Sequence, residues 1–256
     1  MEERLSPRRE RGMNRNTLHA IGLVLMALGM MGKALLQGKL LASGVSLEET
    51  LSASPDAMNA ASVSIVLQAF ETMAVPIFAV LTLDGFQQTA SVKKYLLRLL
   101  GLALVSELPY NLARTGNLLG FTERNPVFGV VIAVSMLYLL RAYPGGDFKG
   151  IAVKILALIA GCLWCYVFQV EYGMNLVLIV YVLWIFRERR TMAYLAGAAI
   201  SVMCFGTNPL FIFAPFGFVF AHFYNGTLRP GPKLLHYALY PVSLLLVAAA
   251  AAYLWR

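Results

Sequence analysis

The chain has 256 residues, of which 59% are hydrophobic and 13% charged, with a mean hydropathy of +0.69. A water-soluble domain of this length carries about twice that share of charge, so a soluble enzyme is excluded, and so is a disordered chain, which needs low hydrophobicity. The remaining class is an integral membrane protein, in which the net charge of +8 (21 basic, 13 acidic) reflects topology rather than nucleic-acid binding.

Apolar runs of about 17–25 residues are long enough to cross a hydrocarbon core as helices. The sequence predicts an all-α polytopic bundle of about nine spans, at 18–37, 64–83, 95–112, 127–143, 150–169, 173–187, 191–206, 209–225 and 234–255. Residues 1–16 form a basic tail ahead of a single transmembrane domain, 17–256. The first run is too long for the core of a signal peptide and no strong cleavage site follows, so it is expected to stay as an anchor. The loop 38–63, with Glu48, Glu49 and Asp56, is expected to hold a short amphipathic helix. The seventh and eighth runs are short and split by Gly206-Thr207-Asn208-Pro209, which leaves a re-entrant pair open. The runs do not alternate in the manner of barrel strands, and no internal repeat is visible.

Charge sets the expected orientation. Arg4, Arg8, Arg9, Arg11, Arg15, Lys93, Lys94, Arg141, Lys149, Lys154, Arg187, Arg189, Arg190, Arg229 and Lys233 fall on one side, fifteen of the 21 basic residues. Lys39, Arg114, Arg124 and Arg256 fall on the other, and Lys33 and Arg98 lie inside spans. Basic loops stay cytoplasmic, which puts the N-terminus inside.

Each polar group inside a span costs about 2.5–3.5 kcal/mol on insertion scales and needs a partner or a task. Two clusters follow from the topology. Near the outer face lie Lys33, Gln68, Glu71, Glu107, Asn111, Glu171 and Asn175; near the inner face lie Asp84, Tyr95 and Arg98. Glu107 and Asn111 share a face of the third span, with Pro109 between them. Arg98 is nine residues from Glu107, about 13 Å along the axis and on the opposite face, so it is expected to meet Asp84, while Glu71 or Glu107 meets Lys33. Packing ion pairs are the plain alternative to a site, and Arg98 can also snorkel to the interface.

His19, His222 and His236 sit at expected cytoplasmic span ends, without neighbours at metal-ligand spacing, so no metal site is expected. Cys162-x-x-Cys165 lies within an apolar span and lacks a redox context. The chain has no phosphate-binding glycine loop, nucleophile elbow or His-Glu-x-x-His.

One block is more specific than generic membrane helix: Pro76-Ile77-Phe78, then Asp84-Gly85-Phe86-Gln87-Gln88-Thr89, then Tyr95-Leu96-Leu97-Arg98-Leu99, then Pro109-Tyr110-Asn111. Weaker echoes are Asn125-Pro126-Val127-Phe128-Gly129, Glu171-Tyr172-Gly173 and Tyr240-Pro241. Together these resemble the TraX family of polytopic bacterial inner-membrane proteins, in order along most of the chain. The resemblance implies an acyltransferase that moves acetyl from acetyl-CoA to a pilin N-terminal amine, in a family similar to the membrane acyltransferases that modify sugars and glycans. It implies partners in the lipid bilayer and in a pilin-like protein, or a glycan or lipid acceptor. On this reading Glu107, Glu71 and Arg98 are candidate catalytic residues, and Asp84, Tyr95, Tyr110, Asn111 and Glu171 candidate donor- or substrate-binding residues.

The chain departs from the family pattern at three places. The Asp-His that usually ends the first span corresponds to Gly29 and Met30, an Arg before Pro-x-Phe to Thr72, and a His after the final Tyr-Pro to Ser243. Either Glu107, Glu71 or His19 serves as base in place of the missing histidine, or the chain keeps the fold as a binding or assembly protein or a small transporter.

Overall fold

A computed structural model describes residues 12–43, 55–119, 123–227 and 233–254. Its helices are α1 (Arg15–Ser43), α2 (Pro55–Gln88), α3 (Val92–Thr115), α4 (Val127–Ala142), α5 (Phe148–Val167), α6 (Gly173–Ile185), α7 (Arg190–Met203), α8 (Phe216–His222) and α9 (Lys233–Leu254). No strand is present among the described residues; two isolated bridges, Met13 to Tyr224 and Arg124 to Val170, join loops.

Each predicted apolar run contains a helix, with different limits. Within the described residues, four helices are long and apolar enough to cross a membrane: 15–36, 58–88, 92–115 and 148–167. The others are shorter. The seventh run ends in a 3-10 turn at Cys204–Gly206, and the eighth opens with a second one at Pro209–Phe213 before the seven-residue α8. Asn208 starts the second turn by accepting from the Leu210 amide at 2.9 Å, with Pro209 in the first position, where its missing N–H costs nothing. The helix expected within 38–63 is not a separate element among the described residues. Residues 44–54 lie outside them, and from Pro55 onward the chain is already α2.

Local chemistry sets other boundaries. Ser91 caps α3, and Gly116, at φ 71°, ends it by donating to the Leu112 carbonyl. Asp147 caps α5 through the Gly150 amide.

α2 is central and packs against α1, α4, α6 and α8; α6 is wedged among α2, α4, α5 and α7; α9 closes the bundle against α1 and α3. The α1–α2 contact is the most extensive. A Cβ on Gly29 would collide with the Cβ and carboxylate of Glu71, and one on Gly32 would lie 2.8 Å from the Ser64 carbonyl. Ser64 Oγ donates to the Gly32 carbonyl at 2.6 Å. Small residues permit such approach where lipid supplies no hydrophobic drive between helices. Pro76 interrupts the hydrogen bonding of α2, and beside it a Cβ added to Gly217 of α8 would collide with the Met73 carbonyl and lie 3.3 Å from Pro76 Cβ.

Among the described residues, charged side chains gather at two ends of the bundle. At one end Met13 donates to the Phe223 carbonyl at 2.8 Å, Asn225 to Met13 at 3.0 Å and Arg15 to Thr227 at 3.0 Å. There Arg190 donates to the carbonyls of Ala221, His222 and Tyr224 at 2.8, 3.0 and 2.6 Å, so α7 and α8 leave and return to the same end. Arg141 covers the Phe86 ring at 4.7 Å, and Arg187 covers Trp184 at 4.3 Å. The opposite end holds Lys33, Arg114 and Arg124 with their carboxylates.

The glycine contacts predict opposite signs at two positions. Gly29→Ala should lower the thermal midpoint of the purified protein, since overpacking a filled contact costs about 1–3 kcal/mol. Gly101 has nothing within 4 Å of a built Cβ, so Gly101→Ala should leave the midpoint unchanged or raise it. Thermal unfolding in detergent, read by circular dichroism, checks both.

Candidate functional site

The site begins with a turn. Between α5 and α6, Gln169 and Tyr172 both adopt left-handed backbone, at φ 51° and 53°, a region costly for residues with a Cβ. The turn is held in place because the Arg124 amide donates to the Gln169 carbonyl and the Glu171 amide to the Arg124 carbonyl, both at 3.0 Å. Gly129 and Gly173 let α4 approach closely here. The result is that Glu171 and Tyr172, adjacent in sequence, reach the same cation.

That cation is Lys33. Its ammonium contacts Glu71 at 2.7 Å, donates to Glu171 and to Tyr172 Oη at 3.2 Å, and lies 5.0 Å from the Tyr172 ring centre. Glu171 also accepts from Tyr110 Oη at 2.6 Å and Arg114 at 2.9 Å; Arg114 reaches on to Tyr110 at 2.8 Å and to Glu123 at 2.5 Å. Tyr172 Oη donates to Glu71 at 3.3 Å. Burial alone would raise the Glu171 carboxyl, but Lys33 and then Arg114 outweigh it and hold it below the ordinary carboxylate range. Two buried carboxylates meet two cations, which meets the requirement that interior charge be paired.

The structure therefore brings Glu71, Glu171 and Tyr110 together, and of the two carboxylates offered as partners for Lys33 it selects Glu71. Glu107 stands apart. Arg124 donates to its Oε1 at 3.1 Å, and the Asn125 amide N–H and side chain donate to its Oε2 at 3.2 and 2.7 Å. Asn125 also donates to the Ala103 carbonyl and caps Val127. Glu107 thus pins the α3–α4 connection with both oxygens occupied. Asn111 is fully buried, and neither its Oδ1 nor its Nδ2 has a partner among the described residues.

At the other end the expected Arg98–Asp84 pair does not form. Asp84 instead meets Arg15 at 3.7 Å and accepts from Tyr224 Oη at 2.8 Å. The reason is topological: α1 and α2 run antiparallel, so the start of α1 adjoins the end of α2, while Arg98 lies further along α3. Arg98 is exposed and makes no ion pair or hydrogen bond among the described residues. Arg15 and Tyr95 converge over Gly85, whose missing side chain leaves room for both.

A cavity of about 580 Å³ joins the two ends. Arg15, His19, Gly85, Tyr95 and Arg98 line one part; Leu23, Met26, Val75, Leu99 and Val130 form an apolar middle; Glu71, Glu171, Tyr172 and Tyr240 line the rest. His19 also meets Phe78 edge-on at 6.0 Å. A second cavity, about 640 Å³, opens beside Asp84 and is lined by Arg187, Arg190, His222 and Tyr224. The side chain of His236 lies outside the described residues. No group of His, Cys, Asp or Glu suited to a metal is found among them.

Sequence reasoning missed Arg114 and Arg124 as site partners, having assigned both to outer loops. Arg114 was findable: it lies four residues after Tyr110, one helical turn along the same face. Tyr240 carried no polar signal of its own. It is buried with its hydroxyl unpartnered, as is Glu71 Oε1; leaving such a group unbonded costs about 1–3 kcal/mol.

The departures from the family pattern are filled by packing. Gly29 has no room for a side chain beside Glu71, Met30 is buried, Thr72 Oγ1 has the carbonyls of Ala69 and Leu210 as acceptors within 2.8 and 3.1 Å for its one hydrogen, and Ser243 Oγ donates to the Tyr240 carbonyl at 2.7 Å.

Removing the central cation should be the most damaging change in the cluster. Lys33→Met leaves Glu71 and Glu171 facing each other in a buried site and should cost about 3–5 kcal/mol. Lys33→Met with Glu71→Leu should recover part of that loss; denaturant unfolding of the single and double variants measures the difference.

No curated protein and no solved structure matches the chain. The family model for TraX, described as TraX protein, matches residues 14–249, which takes in α1 to α8 and most of α9. With nearly its whole length matched, the chain belongs to the TraX family.

Proposed function

We propose that this protein is an integral membrane acyltransferase that takes acetyl from acetyl-CoA and passes it to an amine or hydroxyl acceptor, a pilin-like N-terminus or a glycan or lipid group. In this reading the helices make nine crossings of a bacterial inner membrane, with the N-terminus and the Arg15 end in the cytoplasm.

The observation that carries the reading is the cavity that joins a cationic end to a buried carboxylate end. Its volume, about 580 Å³, falls within the range of about 300–1,000 Å³ typical of small-molecule sites. A CoA thioester suits it in three parts. Arg98 and Arg15 offer guanidinium groups to phosphate; Leu23, Met26, Val75 and Leu99 offer an apolar wall to the slender arm; and the thioester is directed toward the end where Glu71 and Glu171 lie.

Glu71 is the base in this scheme. Its Oε2 is held by Lys33 and Tyr172, which fixes the carboxylate, while Oε1 has no partner among the described residues and is left to take a proton from the acceptor. Glu107, with both oxygens engaged, is a positioning residue for the α3–α4 turn that carries Pro126 and Val127 into the cavity wall.

The test uses the purified full chain in nanodiscs with labelled acetyl-CoA, offered a peptide with a free N-terminal amine and an amino sugar. Transfer to one of them is expected. Glu71→Gln should lower kcat on the order of 100-fold or more, the usual worth of a general base, whereas Glu107→Gln should chiefly lower the thermal midpoint. Folded protein that neither binds acetyl-CoA nor transfers its acetyl group sinks the reading; full turnover in Glu71→Gln removes Glu71 from it.

A further inference from the structure

The unpartnered polar atoms of the cavity wall belong to complementary chemical types. Among the described residues, the buried side-chain atoms without a hydrogen-bond partner are Glu71 Oε1, Ser106 Oγ, both amide atoms of Asn111, and Tyr240 Oη. Ser106 and Asn111 do not line the cavity; Glu71 and Tyr240 do. One is a carboxylate oxygen, which only accepts, and the other is a phenol, which donates. The two groups come from helices far apart in sequence, α2 and α9.

Buried polar groups are almost always satisfied in native proteins, and the exceptions call for a ligand, water or a task. The surroundings of Tyr240 sharpen this. Pro241 follows it in α9 and has no N–H to return to the Tyr237 carbonyl, and Tyr237 is also a wall residue. Ser243 Oγ takes the Tyr240 carbonyl and leaves the phenol alone. A phenylalanine would fill the same volume without the unsatisfied hydroxyl.

Resting on the acyltransferase reading, we propose that Tyr240 is a catalytic residue whose phenol donates to the carbonyl oxygen of the bound thioester. In the step so formed, the acceptor's nitrogen or oxygen attacks the thioester carbon and its proton passes to Glu71. The C–O π pair moves onto the oxygen bonded by Tyr240, then returns as the C–S bond breaks. The CoA thiolate leaves and takes up the proton held by Glu71. Acceptor and Glu71 supply the proton balance; no oxidant or further reactant is needed. A donor aimed where negative charge develops acts on the transition state more than on the ground state.

The experiment compares wild type with Tyr240→Phe, both as full chains in nanodiscs, by transfer from labelled acetyl-CoA and by ligand-free thermal unfolding. The expected result is a kcat lower on the order of 100-fold, a KM for acetyl-CoA changed by no more than about twofold, and an unfolding midpoint equal to wild type or higher. Unchanged kcat, or a loss confined to KM, overturns the role while leaving the acyltransferase reading intact. A lower ligand-free midpoint also overturns it, because the hydroxyl would then be bonded within the fold. Wild type without transfer fails one step earlier and removes the parent reading together with this one.

Discussion

The ion cluster around Lys33 is the constraint on which the rest of this bundle depends. Lys33 lies on α1, Glu71 on α2 and Glu171 in the turn before α6, so one ammonium ties three elements that are otherwise mostly apolar. In water, hydrophobic faces choose the core. In lipid they do not, because the surrounding chains are as apolar as leucine. What fixes the rotation of α1 against α2 is then the cost of turning Lys33 or Glu71 toward hydrocarbon, several kcal/mol for an unpaired charge. Arg114 and Tyr110 extend the same constraint to α3.

The backbone is shaped to that cluster. Glu71 can lie between α1 and α2 only because Gly29 has no side chain, so the close approach of these two helices and the buried carboxylate are one feature. The left-handed residues Gln169 and Tyr172 play a matching part on the opposite wall. Backbone in that region persists only where neighbours over-determine it, and here the two backbone hydrogen bonds between Arg124 and the 169–171 segment do so. The strain places Tyr172 Oη between Lys33 and Glu71, where it accepts from one and donates to the other.

Much of this was legible in the sequence. Composition fixed the class, and the apolar runs located a helix in each expected place, because length and hydropathy are what a bilayer selects. The depth of the charges pointed to two polar clusters and to Glu71 or Glu107 as the partner of Lys33, and the structure has Glu71 there. The Arg98–Asp84 expectation failed because pairing was inferred from depth alone, and depth carries no information on which helices are neighbours. Arg15 reaches Asp84 because α1 and α2 are antiparallel and adjacent, a fact of topology. The break at the start of the eighth run has a local cause, Asn208-Pro209, that was visible as a boundary but not as a 3-10 turn. Tyr240 was illegible for a different reason: one tyrosine in an apolar helix looks the same whether its hydroxyl is satisfied or not.

Glu71 and Glu107 show how far that limit extends. Both are glutamates buried near the same end, and both meet a cation, Glu71 at 2.7 Å and Glu107 at 3.1 Å. They differ in what remains. The partners of Glu107 come from residues 124 and 125, just ahead of α4, and they engage both oxygens; one of the donors is the buried Asn125 amide, which is thereby satisfied. The partners of Glu71 come from α1 and from Tyr172, far along the chain, and reach only one oxygen. A carboxylate with donors on both oxygens holds structure, and one with an oxygen left without a donor beside a cavity can also accept a proton. The distinction rests on counting donors atom by atom, which is why it separates two residues that composition, depth and motif place side by side.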